Sequence, residues 1–185
     1  MLAQLLPVLL VFAVITLLLL ASLRALAITR VPVVSASEPV VDAALELLAL
    51  KDGETFCEIG CGWGGVVKRA RTKADVKAVG YELNPSVALV AALRNLPDAN
   101  VRIRMSDARR SDFGGADAVY AFLMPHAMQE LAEALETRLR PGARVLSVDF
   151  PIPDWTPVAQ KRAGGEGQQV YLYVIGRHRP DAPAS

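Results

Sequence analysis

Met1 to Leu23 is a run of 23 residues without a charge, and only Gln4, Pro7, Thr16 and Ser22 interrupt its apolar character. A helix of that length rises about 34 Å at roughly 1.5 Å per residue, enough to cross a hydrocarbon core of about 30 Å. Leu17-Leu18-Leu19-Leu20 leaves no polar face, which argues against a helix lying flat in the membrane surface. Ala25-Leu26-Ala27 offers a small-residue cleavage site, so a cleaved signal peptide is the rival reading, and a core helix of a soluble protein is the bland one. Against cleavage, no Lys or Arg precedes the run, and the run exceeds a typical signal-peptide core. Residues 1–28 therefore read as an uncleaved, single-pass anchor. Arg24 and Arg30 follow it, so the positive-inside rule puts the rest of the chain in the cytoplasm, at the inner (cytoplasmic) membrane.

The remainder is compositionally ordinary. All 20 basic and 19 acidic residues lie beyond the run, in a stretch of about 160 residues that can bury one substantial core but not two. A large multidomain machine, a disordered chain and a disulfide-stapled module are excluded. A net charge of +1, with no run of five like charges, leaves no nucleic-acid footprint, and no nucleic-acid partner is expected. Cys57 and Cys61 have no second ligand pair, since His126 and His178 lie far along the chain, so no metal is expected. The two cysteines read as reduced thiols.

After a connector at residues 29–37, Ser37 caps a helix with Pro39 in its first turn and an apolar face of Val40, Val41, Ala44, Leu45 and Leu48. Strand and helix signals then alternate. Strands are predicted at Thr55–Ile59, Val76–Tyr81, Val101–Met105, Ala116–Leu123 and Ala143–Asp149. Helices are predicted at Val66–Thr72, at Pro85–Asn95 behind the Asn84 cap, and at Pro125–Leu139. This alternation implies a parallel sheet covered by helices, an α/β fold. Trp155–Arg162 and Gln168–Gly176 then read as an antiparallel hairpin around Gly164-Gly165-Glu166-Gly167. The folded domain spans 38–176, with residues 177–185 an unstructured tail.

The chemistry concentrates where Phe56-Cys57-Glu58-Ile59-Gly60-Cys61-Gly62-Trp63-Gly64-Gly65 passes from strand through glycines into helix. Glycines there let backbone approach a cofactor. Gly60, Gly62 and Gly65 also satisfy the dinucleotide spacing, so the loop alone does not choose between NAD and S-adenosylmethionine. Glu82, 20 residues beyond Gly62, ends the second strand where an acid accepts ribose hydroxyls, as in either class. Glu58 favours S-adenosylmethionine, because a carboxylate before the glycines suits a cationic amine and sulfonium. Asp107, just past the third strand, lies where an adenine amine is bound. Glu58, Gly60, Gly62, Gly64, Glu82 and Asp107 are the candidate cofactor residues.

These motifs resemble the class I S-adenosylmethionine-dependent methyltransferases. More narrowly, the chain is similar to the membrane-anchored lysine methyltransferases of the adenine nucleotide translocase and the ATP synthase c-subunit. The resemblance rests on the apolar N-terminal helix, Val31-Pro32-Val33-Val34, the glycine loop and Gly80-Tyr81-Glu82-Leu83-Asn84-Pro85. It continues in Pro141-Gly142-Ala143-Arg144-Val145, Phe150-Pro151-Ile152-Pro153-Asp154-Trp155 and Val170-Tyr171-Leu172-Tyr173. It implies a Rossmann-like class I methyltransferase sheet with a C-terminal antiparallel hairpin, preceded by one transmembrane helix. It also implies that Glu58, Gly60, Gly62, Glu82 and Asp107 hold the cofactor. The implied substrate is a lysine of a membrane protein, the ATP synthase c-subunit being the first candidate. One departure stands out: where the family usually carries an acidic residue and then Gly-Arg, this chain has Trp63-Gly64-Gly65. That loop resembles the cyclopropane fatty acid synthases and their lipid-modifying relatives instead.

Methyl transfer needs alignment of a neutral nucleophile and exclusion of water. A lysine amine must first lose its proton, which an apolar pocket favours. Trp63, Phe122, Met124, Pro125, Asp149 and Trp155 are the candidate substrate-pocket residues; no catalytic base is evident, and His126 reads as a helix-start residue. A membrane-associated small-molecule or lipid methyltransferase, and a non-catalytic cofactor-binding membrane module, remain as alternatives.

Overall fold

The computed structural model describes residues 2–29, 34–113, 115–164 and 167–179. Residues 30–33 of the expected connector, Gly165-Glu166 at the hairpin turn and residues 180–185 of the expected tail lie outside them.

The uncharged run forms one helix, α1 (Leu2–Thr29), with Pro7 in its first turns. Its segment Leu5–Arg24 is long and apolar enough to cross a membrane, and none of it is buried against the rest of the chain. Helix α2 (Glu38–Leu48) starts where Ser37 and Pro39 predict, but the Ser37 hydroxyl makes no capping hydrogen bond; its carbonyl accepts the Val40 and Val41 N–H groups. It ends where Ala49 adopts a left-handed conformation and donates its N–H to the Leu45 and Glu46 carbonyls, closing two orphan groups of the last turn.

Then follow β1 (Thr55–Ile59), α3 (Gly65–Lys73), β2 (Lys77–Glu82), α4 (Pro85–Asn95), β3 (Val101–Met105), a 3-10 turn at Ala108–Arg110, β4 (Ala118–Ala121), α5 (Pro125–Arg138) and β5 (Arg144–Val148). The hairpin β6 (Ala159–Ala163) and β7 (Gln168–Val174) completes a seven-stranded sheet of order β3-β2-β1-β4-β5-β7-β6. The first five strands are parallel and β7 pairs antiparallel to both β5 and β6. Strand order reverses between β1 and β4, and in open α/β sheets ligands bind beyond the strand ends at that switch point.

Two apolar layers sandwich the sheet. On one face α2 and α3 pack Val40, Leu45, Leu48, Val67 and Ala70 against Phe56, Tyr120 and Leu146. On the other, α5 packs Met128, Leu131 and Leu135 against Cys57, Ile59, Val119 and Val145. Alternation along each strand sends neighbouring residues to opposite layers, which is why β1 from Phe56 onward and all of β4 are buried, with Glu58 the one charged residue among them.

The hairpin differs from its expected extent. β6 begins at Ala159, so Trp155 lies outside the strand, in the turn after β5. Its ring is 6% exposed, edge-on to Tyr173 and 4.0 Å from the His178 ring. His178 and its neighbours therefore belong to the fold, contrary to the expected loose tail from 177. The His178 Nε2 faces a Glu136 carboxylate oxygen at 3.2 Å, its Nδ1 accepts the Gly176 N–H, and Arg179 pairs with Glu136. Aromatic burial and a shared carboxylate retain these residues.

Gly64 caps α3 in a left-handed conformation at φ 74°. A Cβ there would meet Asn95 Nδ2 at 2.5 Å and the Ala91 side chain at 3.3 Å, because α4 packs directly on the glycine loop. Gly64→Ala is accordingly expected to destabilise the fold by about 2–4 kcal/mol, combining the left-handed penalty with overpacking. Thermal unfolding of the full chain should show a fall in Tm of several degrees, and an unchanged Tm would refute the tight packing.

Candidate active site

The site is built from the loop after β1 and the ends of β2 and β4. Gly60 has a left-handed φ of 72°, and a Cβ on it would lie 3.0 Å from the Leu123 side chain. Its N–H and that of Cys61 both donate to the Tyr81 carbonyl at 2.9 Å, tying the loop to β2. The Cys61 sulfur lies over Gly80, where any added Cβ would come within 2.8 Å of it. Burial pushes the Cys57 thiol up to about 12 and raises that of Cys61 further, so both are neutral packing groups.

Glu82 closes the loop from the side. One carboxylate oxygen accepts the Gly62 N–H at 2.9 Å and the other accepts the Asn84 N–H at 2.8 Å. A carboxylate has about four acceptor positions, so two remain for a ligand's vicinal hydroxyls. Asn84 in turn caps α4, its side-chain oxygen accepting the Ser86 and Val87 N–H groups.

Glu58 lies deeper, 4% exposed, with one oxygen accepting the Val67 N–H at 2.9 Å in the first turn of α3. Burial pushes its carboxyl well above the usual range; the Val67 N–H opposes that shift and the Glu82 charge adds to it. Glu58 lines a cavity of about 300 Å³ together with Gly60, Gly62, Tyr120 and Phe122. The Tyr120 phenol oxygen is buried without a hydrogen-bond partner in the structure, and burial together with the Glu58 and Asp149 charges raises its pKa. A buried carboxylate beside an unpaired phenol calls for a cationic, hydrogen-bonding ligand. That donor set fits the amine and sulfonium end of S-adenosylmethionine.

The other candidates are placed differently. Gly64 faces α4 instead of the cavity. Asp107 caps the 3-10 turn after β3 and is paired with Arg109, which holds its carboxyl below the ordinary value. Trp63, Met124 and Pro125 are exposed around the loop and the start of α5. Asp149 has a left-handed backbone, and its carboxylate accepts the Gln168 amide and the Gln169 N–H, joining the ends of β5 and β7. Trp155 is core, its ring committed to Tyr173 and His178, and so is not a substrate contact.

Sequence reasoning missed Tyr120, and also the residues Ser35, Ala36 and Arg69 that help to line the cavity. Tyr120 reads in sequence as one more buried strand residue. The cavity-facing role of residues 34–36 had one signal, their position immediately before the α2 cap.

Comparison with known proteins decides the class. Residues 58–159 match the model of the ANTKMT methyltransferase domain. The chain belongs to this family. It is an S-adenosylmethionine-dependent methyltransferase of a family of protein-lysine methyltransferases. A protein-lysine N-methyltransferase of Saccharolobus islandicus is 34% identical over 82% of this chain and 98% of its own length. The mouse adenine nucleotide translocase lysine N-methyltransferase is 35% identical over 79% of this chain, which spans 64% of that relative. Among solved structures, an RNA methyltransferase of Salinibacter ruber bound to S-adenosyl-L-homocysteine superposes with a TM-score of 0.73 at 29% identity, over 82% of this chain and 98% of that one.

Two outcomes follow from this geometry. Glu82→Ala should weaken S-adenosylmethionine binding by about ten- to a hundredfold, since hydroxyl acceptors and the loop tether are lost together. Calorimetry on the purified protein checks it, and wild-type affinity would remove Glu82 from the site. The second concerns pH. A folded pKa raised above 4.5 means that the folded state holds the Glu58 proton more tightly than the unfolded chain. The resulting stability is complete below pH 4.5 and is lost as pH rises through the folded pKa. Glu58→Gln should therefore raise Tm at neutral pH while weakening the cofactor. In the wild type, affinity should fall by about tenfold per pH unit below the folded pKa, a dependence absent from the variant.

Proposed function

We propose that this methyltransferase modifies a lysine side chain of an integral membrane protein, from a domain held at the inner membrane on its cytoplasmic side. The observation that carries the reading is α1. None of its apolar span Leu5–Arg24 is buried, yet the span touches α4: the Ser22 hydroxyl lies 3.0 Å from Asn84 Oδ1 and 2.8 Å from the Ser86 hydroxyl. An anchor attached there holds the Glu82 corner beside the membrane. Support also comes from the relative that acts on the adenine nucleotide translocase and from lysine N-methyltransferases of the ATP synthase c-subunit, 33% identical in Xenopus laevis. Arg24, the last residue of that span, favours a cytoplasmic domain.

S-adenosylmethionine supplies a methyl group carried on a positively charged sulfur. In the proposed site Glu82 holds ribose hydroxyls, Asp107 the adenine amine, and Glu58 with Tyr120 the cationic end. The loop after β1 places its backbone against the same molecule through Gly60 and Gly62. A target lysine enters as an ammonium and has to release its proton before its lone pair can accept the methyl group. Phe122 in the cavity wall supplies apolar surroundings that disfavour the ammonium, and the exposed Met124, two residues further along the chain, is a second candidate for that role. Trp63, Pro125 and Asp149 are the remaining candidate substrate contacts. Confinement by α1 raises the effective concentration of membrane-proximal lysines without any added contact.

The test is incubation of membranes from a strain lacking this protein with the purified full-length chain and methyl-labelled cofactor. Peptide mass spectrometry should find the label on a lysine close to the membrane face of an integral protein, with the ring-forming protein of ATP synthase the first band to inspect. Label confined to lipid, RNA or soluble proteins would overturn the assignment.

A further inference from the structure

Helix α4 is amphipathic in an unusual place. Val87, Ala88, Ala91 and Asn95 are buried, the last two against Gly64 of the glycine loop, while Leu89, Val90, Leu93 and Leu96 are 48%, 39%, 61% and 76% exposed. These four sit at the spacing of one helical stripe. Met105, 64% exposed at the end of the edge strand β3, is a further uncovered apolar side chain on a strand that α4 packs against. Such a patch on a soluble face marks an interaction surface.

What covers it follows from its continuity with α1. The polar contacts of Ser22 join the last turns of the apolar span to the first turn of α4, at Asn84 and Ser86. The exposed stripe begins at Leu89, one turn further along the same helix. Described α1 side chains from Leu5 to Leu20 are exposed in the same way, apart from the half-buried Leu18. The two apolar surfaces therefore meet at one corner, and Arg94 stands exposed beside the stripe. An apolar face with a flanking cation is how a helix lies in a headgroup layer.

We propose that α4 is a second membrane contact: its Leu89–Leu96 stripe lies in the headgroup region of the bilayer that α1 enters, with Arg94 toward anionic lipid phosphates. This rests on the reading of α1 as an anchor. Two contacts fix the domain's rotation, where a single span leaves it free to swivel. Because Glu82 and Asn84 lie at the start of α4, the docked helix presents the cofactor corner to the bilayer at constant height.

The full-length protein is reconstituted in phosphatidylglycerol-containing nanodiscs with a nitroxide on the lipid chains. Bimane is attached at Leu93→Cys or Leu96→Cys. Cys57 and Cys61 are buried, and the unsubstituted protein measures any labelling of them. Val158→Cys, 47% exposed at the opposite sheet edge beside β6, is the control. Emission at 93 and 96 should fall by about threefold or more while that at 158 stays unquenched, as for side chains within and outside the headgroup layer. Equal emission at all three sites, in discs that retain the protein, would overturn the α4 contact and leave the anchor standing. Failure of the protein to enter the discs would refute the anchor, and the surface with it.

Discussion

The Glu82 carboxylate is the interaction on which the site depends. It receives the Gly62 N–H on one oxygen and the Asn84 N–H on the other, joining the end of β1 to the start of α4. Both donors are backbone groups that lack a partner in strand or helix, so one side chain satisfies a turn and a helix entry together. Asn84 then caps α4 and touches Ser22 of α1. Loop, helix and apolar N-terminal segment thus converge on one acidic residue, and a shift at any of them moves the same carboxylate.

Glu58 acts in the opposite sense. Placing an acid 4% exposed against apolar β4 and α3 costs stability, and the Val67 N–H offsets only part of that cost. In the proposed site a cationic ligand at Glu58 offsets this cost. The unpaired Tyr120 phenol belongs to the same arrangement, because its oxygen is buried in a wall that also carries Glu58. Stability and binding therefore pull against each other in this cavity, a pattern common where function requires strained or unpaired groups.

Much of this fold is legible from local chemistry. Alternating apolar strands and amphipathic helices, Asn84-Pro85 at a helix start, Ser37 before α2 and the glycines after β1 each act over a few residues. The parallel order of the first five strands follows from long crossovers, supplied by α3, α4 and α5 and, between β3 and β4, by a segment whose described residues hold only the 3-10 turn. The place of Glu82 at the end of β2, beside the glycine loop, was readable for the same reason, from its spacing from Gly62. The apolar run at the N-terminus is plainer still, because length and the absence of charge alone make it a candidate span.

Other assignments needed the assembled molecule. Trp155 looks from sequence like a site aromatic, but the return of the chain through His178 stacks it into the core. Gly64 belongs to the glycine loop in sequence and to the α4 interface in space, because Asn95 arrives from 31 residues away to donate to its carbonyl. Tyr120 is one of four buried residues in β4, and only the cavity beyond the sheet distinguishes it from the others. The meeting of α1 with α4 joins residues 62 and 64 positions apart. Local pattern determines which elements form and which face of each is apolar. Which residue closes a cavity, and which face stays uncovered, depends on contacts between distant segments, and those exist only once the sheet has brought the segments together.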